Sequence, residues 1–229
     1  MLVCIDPGHY ENEAGKRSID GQLREYEFNR DVAKRLKKHL ERHGVKTMYS
    51  CDIDVKTRIS PLERCKTANK AQADLFVSIH ANALGTSWND ANGWEIFYHK
   101  GSSRGKILAE CIQKESIPFL GLRDRGLKTN PFTVTKHTNM PAVLIEHGFY
   151  THYSEMQMLL TDEFREKCAV ADAKGILAYS GIEWIDNTAN NDDIEIIKNK
   201  IGLEQQTIEY LQAYKYGKEL IQKIANAVK

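Results

Sequence analysis

The chain has 229 residues, of which 41% are hydrophobic and 28% charged, a composition that predicts a folded globular protein. Because 32 Lys and Arg residues balance 31 Asp and Glu residues, the net charge of +1 gives no long-range attraction to nucleic acid or acidic membranes. The five cysteines include no CxxC pair, which argues against a disulfide framework or a thiolate zinc site. Without a membrane-spanning apolar stretch or a signal peptide, the protein is expected to be made in the cytoplasm.

Short β-branched or aromatic runs alternate with helical patterns along the chain, which predicts an α/β fold. The runs that predict strands are 2–6, 46–50, 74–79, 94–98 and 142–146. The helical patterns cover residues 25–44, 58–72, 103–116 and 153–180. Residues 120–132 are rich in turn residues and predict a long loop. We expect this compact domain to comprise residues 1–185.

The pattern changes after residue 185. Residues 186–193 are polar and predict a linker, and residues 194–229 predict three short amphipathic helices separated by Gly202 and Gly217. So short a segment can barely form a core of its own. We therefore expect a small helical appendage that packs on the first domain, self-associates or serves as a targeting module.

Three side chains with catalytic or metal-binding chemistry stand at the ends of buried runs. His9 follows the first run, His80 follows 74–79, and Glu146 ends 142–146. In open α/β sheets, ligands bind outside the carboxyl ends of the strands, so these side chains are expected to converge in one crevice. A single histidine in such a position more often has a structural role, but three such side chains together predict a functional site.

Helix geometry adds a fourth side chain. At about 100° per residue, Glu25 points in the same direction as the apolar stripe that begins at Phe28, whereas Glu27 points to the opposite face. A carboxylate buried without a partner would cost several kcal/mol, but a divalent cation beside two imidazoles satisfies it. Glu25 is therefore expected to join the two histidines.

Two imidazoles and one carboxylate suit Zn²⁺, which predicts one zinc ion per chain held by His9, Glu25 and His80. Three protein ligands leave a fourth position open for water, which is typical of catalytic zinc. A hydrolytic site also needs a group that accepts the proton of this water, and Glu146 is the candidate for that role.

Four ordered motifs carry these residues: IDPGHY at 5–10, GQLREYEFNRDVAKRL at 21–36, ADLFVSIHANA at 73–83 and PAVLIEHGF at 141–149. Over roughly residues 1–180 they resemble the zinc-dependent N-acetylmuramoyl-L-alanine amidases of the Amidase_3 type. The resemblance implies a single α/β domain around a twisted, mostly parallel sheet flanked by helices. It also implies a hydrolase that cleaves peptidoglycan between the lactyl group of N-acetylmuramic acid and the L-alanine of the stem peptide. In the matching motifs, His9, Glu25 and His80 are the zinc ligands and Glu146 is the catalytic carboxylate.

Two other functions remain as alternatives. A zinc exopeptidase of the carboxypeptidase type could use the same ligands on wall peptides or free peptides. A catalytically inactive wall-binding module would lack at least one of the four residues, and all four are present. Glu27 would replace Glu25 as a ligand under a different helix register. Glu95 is expected either to face the crevice from a neighbouring strand or to have a structural role on an edge strand. Structural or supporting roles are expected for Arg64, Asn82, His39, His43, His99, His137, His147 and His152.

The resemblance also indicates where the protein works. We expect it to act on the bacterial cell wall after release, either as a phage endolysin or as an amidase that lyses a mother cell. Peptidoglycan is the expected partner, and neither nucleic acid nor an integral membrane segment is expected. Residues 194–229 are expected to bind the wall or to mediate self-association.

Overall fold

A computed structural model of the chain describes residues 1–54, 57–186, 191–214 and 216–228. Within these residues, six strands form one sheet: β1 (Leu2–Pro7), β2 (Lys46–Tyr49), β3 (Leu75–Asn82), β4 (Trp94–Tyr98), β5 (Asp124–Thr129) and β6 (Ala142–Phe149). Their order across the sheet is β2-β1-β3-β6-β4-β5. Four of the five neighbouring pairs are parallel, and only β4 and β6 run antiparallel to each other. The expectation of a mostly parallel sheet is confirmed.

Helices flank the sheet and also form the C-terminal part of the chain. Those that accompany the strands are α1 (Glu25–Arg42), α2 (Pro61–Lys70), α3 (Ser103–Leu120), α4 (Thr133–Lys136), α5 (Tyr153–Leu160) and α6 (Asp162–Tyr179). The last three are α7 (Asn191–Ile201), α8 (Gln205–Ala213) and α9 (Gly217–Val228). None of the helices in the described ranges is both long enough and apolar enough to cross a membrane.

Two predicted elements are wrong. Residues 120–132 contain strand β5 rather than a continuous loop, and the helical pattern of 153–180 is two helices, α5 and α6. Strand β5 lacks apolar alternation and forms because it pairs with β4, a contact that the local sequence does not reveal. Thr161 separates the two helices because its backbone is extended and its hydroxyl accepts a hydrogen bond from the amide of Phe164, which caps α6.

The central strands are covered on both faces, as expected for parallel strands. On one face, Phe76 and Leu144 pack against Cys65 and Ala68 of α2. The side chains that alternate with these along the strands and point to the other face are fully buried: Val3, Ile5, Val77, Ile79, Val143 and Ile145.

Two of the flanking helices pack closely against each other. Helix α6 approaches α3 at Gly175, where a Cβ atom would lie 2.4 Å from the Cα of Ile112, so only glycine permits this packing.

The chain divides into two compact units. The first comprises Met1–Glu41 and Val45–Ile182 and contains the sheet, and the second comprises Arg42–Gly44 and Glu183–Lys229. In the second unit, residues from α7 and α9 form a small apolar cluster of Ile197, Ile221 and Ala225. Residues 187–190 of the predicted linker lie outside the described residues, and its last three residues belong to α7.

Candidate active site

The sheet register places three acidic or imidazole side chains in one row. His80 of β3 is the partner of Glu146 on the parallel strand β6, and Glu146 is in turn the partner of Glu95 on the antiparallel strand β4. Residues paired in this way point to the same face of a sheet, and neighbouring strands are about 4.8 Å apart. Leu144, two residues before Glu146, packs into the apolar cluster on the same face, so the row lies at the margin of that cluster.

His9 stands in a strained loop that a buried arginine holds in place. Its φ of 64° is in the left-handed region, which residues other than glycine seldom adopt. Arg64 donates to the carbonyl oxygens of Pro7 at 2.5 Å and His9 at 3.0 Å, and it pairs with Asp6 at 2.9 Å. These contacts tie α2 to the end of β1 and fix the backbone on which His9 stands.

The carboxylate of Asp6 is the centre of a buried polar network. It accepts hydrogen bonds from Ser50, from Ser78 at 2.6 Å and from Arg64. Burial alone would raise the pKa of Asp6, but the charge of Arg64 and the two serine hydrogen bonds hold it below its usual value. Asp6 therefore remains ionised and keeps Arg64 in place beneath the His9 loop.

His80 is in direct contact with the same loop. A Cβ atom on Gly8 would lie 2.2 Å from the His80 ring, so the loop can pass over this ring only with glycine at position 8. The rings of His9 and His80 meet edge to face, with their centroids 4.8 Å apart. The two imidazoles are therefore neighbours, although 70 residues of chain separate them.

Glu25, the first residue of α1, joins the two imidazoles. Its Oε1 lies 3.1 Å from Nε2 of His9 and 3.0 Å from Nδ1 of His80. The residue is only 1% exposed, and burial alone would raise its pKa, but hydrogen bonds with His80 and His9 hold the pKa well below its usual value. One ligand atom from each of the three residues lies within 4.8 Å of the others, a grouping that could hold a metal ion.

Two further features of Glu25 and His9 suit a metal ion at this place. Oε2 of Glu25 is buried and has no hydrogen-bond partner within the described part of the chain, with Lys16 Nζ 3.8 Å away. Nδ1 of His9 lies 2.9 Å from the carboxylate of Glu13, to which it donates when Nε2 is unprotonated. Metal-binding histidines commonly hold their second nitrogen in this way.

Glu146 lies beside this group without a polar partner. Its Oε2 is buried and makes no hydrogen bond to any described residue. Burial, and then the nearby charge of Glu25, raise the pKa of Glu146 well above its usual value, which Lys16 only partly offsets. Although Glu25 and Glu146 are both carboxylates, the two side chains have opposite protonation preferences.

One cavity of about 290 Å³ brings the four predicted residues together. It is lined by His9, Glu25, His80 and Glu146, with an apolar wall that includes Phe132, Val134 and Leu144. Asn82 lines the same cavity and donates to Glu95 at 2.8 Å. The cavity therefore combines a polar floor with an apolar side, as ligand sites commonly do.

The remaining candidates lie elsewhere. Glu27 is exposed and accepts a hydrogen bond from the hydroxyl of Tyr26, on the other side of α1 from Glu25. His147 is fully buried between Asp172 at 3.0 Å and the carbonyl oxygen of His80 at 3.2 Å. His152 caps the start of α5. None of these side chains belongs to the group of His9, Glu25 and His80, which is the only such group in the described residues.

Sequence analysis missed several residues that support the site. Asp6 and Glu13 were not identified, and Arg64 was expected only to support or pack, although it lies on the buried side of α2 with Cys65 and Ala68. Glu155 was also missed. It accepts hydrogen bonds from the amides of Gly93 and Phe149, both at 2.7 Å, and so joins the start of β4 to the end of β6. The one feature of the sequence that could have indicated these contacts is the position of Arg64, a charged residue beside the apolar residues Cys65 and Ala68 on α2.

Fold and site together define a mostly parallel α/β domain with a candidate metal site at its strand ends. The family model described as N-acetylmuramoyl-L-alanine amidase matches residues 3–178. The chain therefore belongs to this family. The match favours the amidase function over the exopeptidase alternative.

Curated relatives agree with this assignment. The N-acetylmuramoyl-L-alanine amidase LytC of Bacillus subtilis (strain 168) is 40% identical over 179 residues, which make up 77% of this chain and 35% of that protein. An endolysin of Bacillus phage SPP1 is 33% identical over 183 residues, which make up 76% of this chain and 64% of the endolysin. The chain thus matches only about a third of the length of LytC.

Solved structures share the fold. The catalytic domain of CwlV, an N-acetylmuramoyl-L-alanine amidase from Bacillus (Paenibacillus) polymyxa var. colistinus, has a TM-score of 0.73 at 32% identity and covers 80% of this chain and 99% of that one. An N-acetylmuramoyl-L-alanine amidase from Clostridium difficile 630 has a TM-score of 0.74 at 35% identity, and the match covers 79% of this chain and 96% of that one. The similarity therefore extends over nearly the whole of both solved chains.

The raised pKa of Glu146 predicts a pH-dependent stability of the metal-free protein. From the usual pKa of 4.5 up through the raised value, the folded protein holds a proton on Glu146 that the unfolded chain releases. The metal-free protein should therefore lose stability as the pH rises through this range, by about 1.4 kcal/mol per unit of pKa shift. Glu146→Gln should remove this loss.

Thermal unfolding of chelator-treated protein across a pH series measures this effect. Glu27→Gln, at an exposed position of α1, is the matched control and should keep the pH dependence of the parent. The same pH dependence in Glu146→Gln and the parent would contradict the assignment of the raised pKa to Glu146.

Proposed function

We propose that the protein is a zinc-dependent N-acetylmuramoyl-L-alanine amidase. It cleaves the amide bond between the lactyl group of N-acetylmuramic acid and the L-alanine of the peptidoglycan stem peptide. One observation carries this proposal: a chain of the amidase family gathers two imidazoles and a buried carboxylate beside Glu146 in a single cavity. Its place of action is the bacterial cell wall.

His9, Glu25 and His80 are the residues that would hold the zinc ion. Two nitrogen donors and one carboxylate are a common catalytic zinc set, and Oε2 of Glu25, which accepts no hydrogen bond from the described residues, supplies an acceptor that a cation would satisfy. Bound Zn²⁺ supplies Lewis-acid chemistry that polarises the scissile carbonyl and makes water a better nucleophile. Glu13 keeps the proton of His9 on Nδ1, so that Nε2 can act as the ligand.

Glu146 is proposed to move the proton that hydrolysis requires. Its carboxylate accepts the proton of the attacking water and then donates it to the nitrogen of L-alanine, so that the C–N bond breaks with a neutral amine, rather than its anion, as the leaving group. A raised pKa suits the second step, since a carboxyl group that holds its proton is the better acid. The apolar wall around Phe132 and Val134 excludes water from one side of the reacting bond.

The C-terminal helices have a separate proposed role. We propose that residues 1–185 are the catalytic domain, 186–193 a linker and 194–229 an appendage that binds the wall or mediates self-association. In the described part of this appendage, large apolar side chains are exposed, with Tyr210 at 83%. Exposed aromatic side chains of this kind are common at binding surfaces.

Metal content tests the ligand assignment. Zinc at about one ion per chain should be lost from His80→Ala and from Glu25→Ala, because each change removes one of three ligands. Glu27→Ala is the control, since Glu27 is exposed and points away from the histidines, and it should keep its zinc. Elemental analysis after dialysis measures the content. A Glu25→Ala protein with stoichiometric zinc would show that the ligand set is wrong.

The products from isolated cell walls test the reaction. Digestion should expose L-alanine amino termini without new reducing sugar ends, because the amide is cut and the glycan remains intact. Glu146→Gln should retain zinc and lose activity by about 10²–10⁴-fold, the usual contribution of proton transfer. New reducing ends would indicate a glycosidase, and free D-alanine a carboxypeptidase. A zinc-loaded Glu146→Gln protein within about tenfold of the parent rate would exclude Glu146 as the proton carrier.

Deletion of the residues after Ile185 tests the appendage. The shortened chain should remain folded, bind zinc and cleave soluble muropeptides, because all four site residues lie in the first compact unit. Its action on intact walls should fall. Sedimentation velocity and wall pull-down separate the two proposed roles. A truncated chain that unfolds or loses zinc would place the appendage in the catalytic domain. If the truncated chain binds walls as well as the parent and has the same oligomeric state, both proposed roles are excluded.

A further inference from the structure

Two cations converge on the buried carboxylate of Glu95, the strand partner of Glu146. Nε of Arg125 lies 2.6 Å from Oε2 of Glu95, and Nζ of Lys128 lies 2.5 Å from the same oxygen. In the part of the chain that the structure describes, Glu95 is the one carboxylate within ion-pair distance of either cation. The cluster of Glu95, Arg125 and Lys128 therefore carries a net positive charge.

This cationic cluster lies on the same face of the sheet as Glu146. Glu95 is the direct strand partner of Glu146, and Lys128 is the partner of Phe97, two residues further along β4 on the same face. Both cationic groups therefore contact the carboxylate of Glu95, the residue that stands one strand spacing, roughly 5 Å, from Glu146. Asn82 joins the two places, since it lines the cavity and donates to Glu95.

Neutralising Glu95 does not account for both cations. Within ion-pair distance two cations face one buried carboxylate, while burial raises the pKa of the more distant Glu155 and the charge of Arg125 partly offsets this rise. Both cationic side chains are accessible, with exposures of 27% for Arg125 and 36% for Lys128. Arg125 is also held rigidly, because Nη1 donates to the carbonyl oxygen of Asn92 and its guanidinium lies 4.8 Å from the ring centre of Phe149. Its Nη2 makes no hydrogen bond to any described residue. Fixed donors with unused hydrogens suit an anionic ligand.

The proposed reaction supplies such a ligand, and the inference rests on it. Beyond the cleaved bond the stem peptide continues from L-alanine into its second residue. Two residues of extended chain span about 7 Å, so a carboxylate on the second residue would reach past Glu146 to the neighbouring strand. We propose that Arg125 and Lys128 form a subsite for a carboxylate on the stem-peptide residue that follows L-alanine, with Glu95 and Asn82 as positioning residues.

This subsite predicts a preference between two dipeptides that differ in a single group. The γ-carboxyl of both dipeptides is amidated, because this group is amide-bonded in the stem peptide, so that only the α-carboxyl differs: L-alanyl-D-glutamine carries the free carboxylate, and its α-amide carries a neutral carboxamide instead. Calorimetric titration of the zinc-loaded full chain should show about tenfold tighter binding of the carboxylate form, as expected for one charge-assisted contact. Lys128→Gln should reduce this ratio to about one, whereas Lys128→Arg should keep most of it.

A matched control variant and the separate wall-digestion assay distinguish failure of the subsite from failure of the proposed amidase function. Lys167→Gln removes the same charge at an exposed position of α6 and should leave the tenfold ratio intact. Equal binding of the two dipeptides by the parent, binding of neither, or a ratio that survives in Lys128→Gln would overturn the subsite. Because these titrations require no turnover, they are independent of the wall digestion. A parent that cleaves walls as proposed but binds both dipeptides equally would refute the subsite alone.

Discussion

A single oxygen atom, Oε1 of Glu25, holds the site together. It lies within 3.1 Å of a nitrogen from His9 and a nitrogen from His80, which come from a loop and a strand that are remote in sequence. Several other features of the fold serve this contact. The register of β3 positions His80, glycine at position 8 lets the loop cross its ring, and Arg64 holds that loop in a left-handed turn. Loss of any of these would separate the donors that the proposed zinc ion needs.

The two carboxylates of the cavity differ because their surroundings differ. Glu25 is fully buried and has imidazole partners and a lowered pKa, whereas Glu146 lines the cavity with a buried Oε2, has no such partners and has a raised pKa. Pairs of acids with pKa values moved apart are a common basis for separate roles in catalysis. Here the difference suits Glu25 as a ligand, which must be ionised, and Glu146 as a carrier, which must both take and give a proton. Because Oε2 of Glu146 is buried without a hydrogen-bond partner, ionising this carboxyl group in the metal-free protein costs free energy.

That the side chains of His9, Glu25, His80 and Glu146 meet in one cavity could be predicted, because the position of each follows from a short-range pattern. Buried runs that end in His9, His80 and Glu146 indicate strand ends, and the apolar stripe of α1 gives the direction of Glu25. The supporting contacts could not be predicted, since they join residues that are distant in sequence. Arg64 meets Asp6 across 58 residues, and Arg125 meets Glu95 across 30. Strand β5 was missed for the same reason, because its polar sequence becomes a strand only by pairing with β4.

Crystals of the zinc-loaded protein, measured on both sides of the zinc absorption edge, test the proposed centre most directly. We expect one anomalous peak per chain, about 2.0–2.2 Å from a nitrogen of His9, a nitrogen of His80 and an oxygen of Glu25, with Glu146 outside ligand distance. This result would place the metal and the proton carrier as proposed. A peak bound by Glu146, a peak at the buried pair of His147 and Asp172, or a zinc-loaded protein without any peak at Glu25 would contradict the proposed centre.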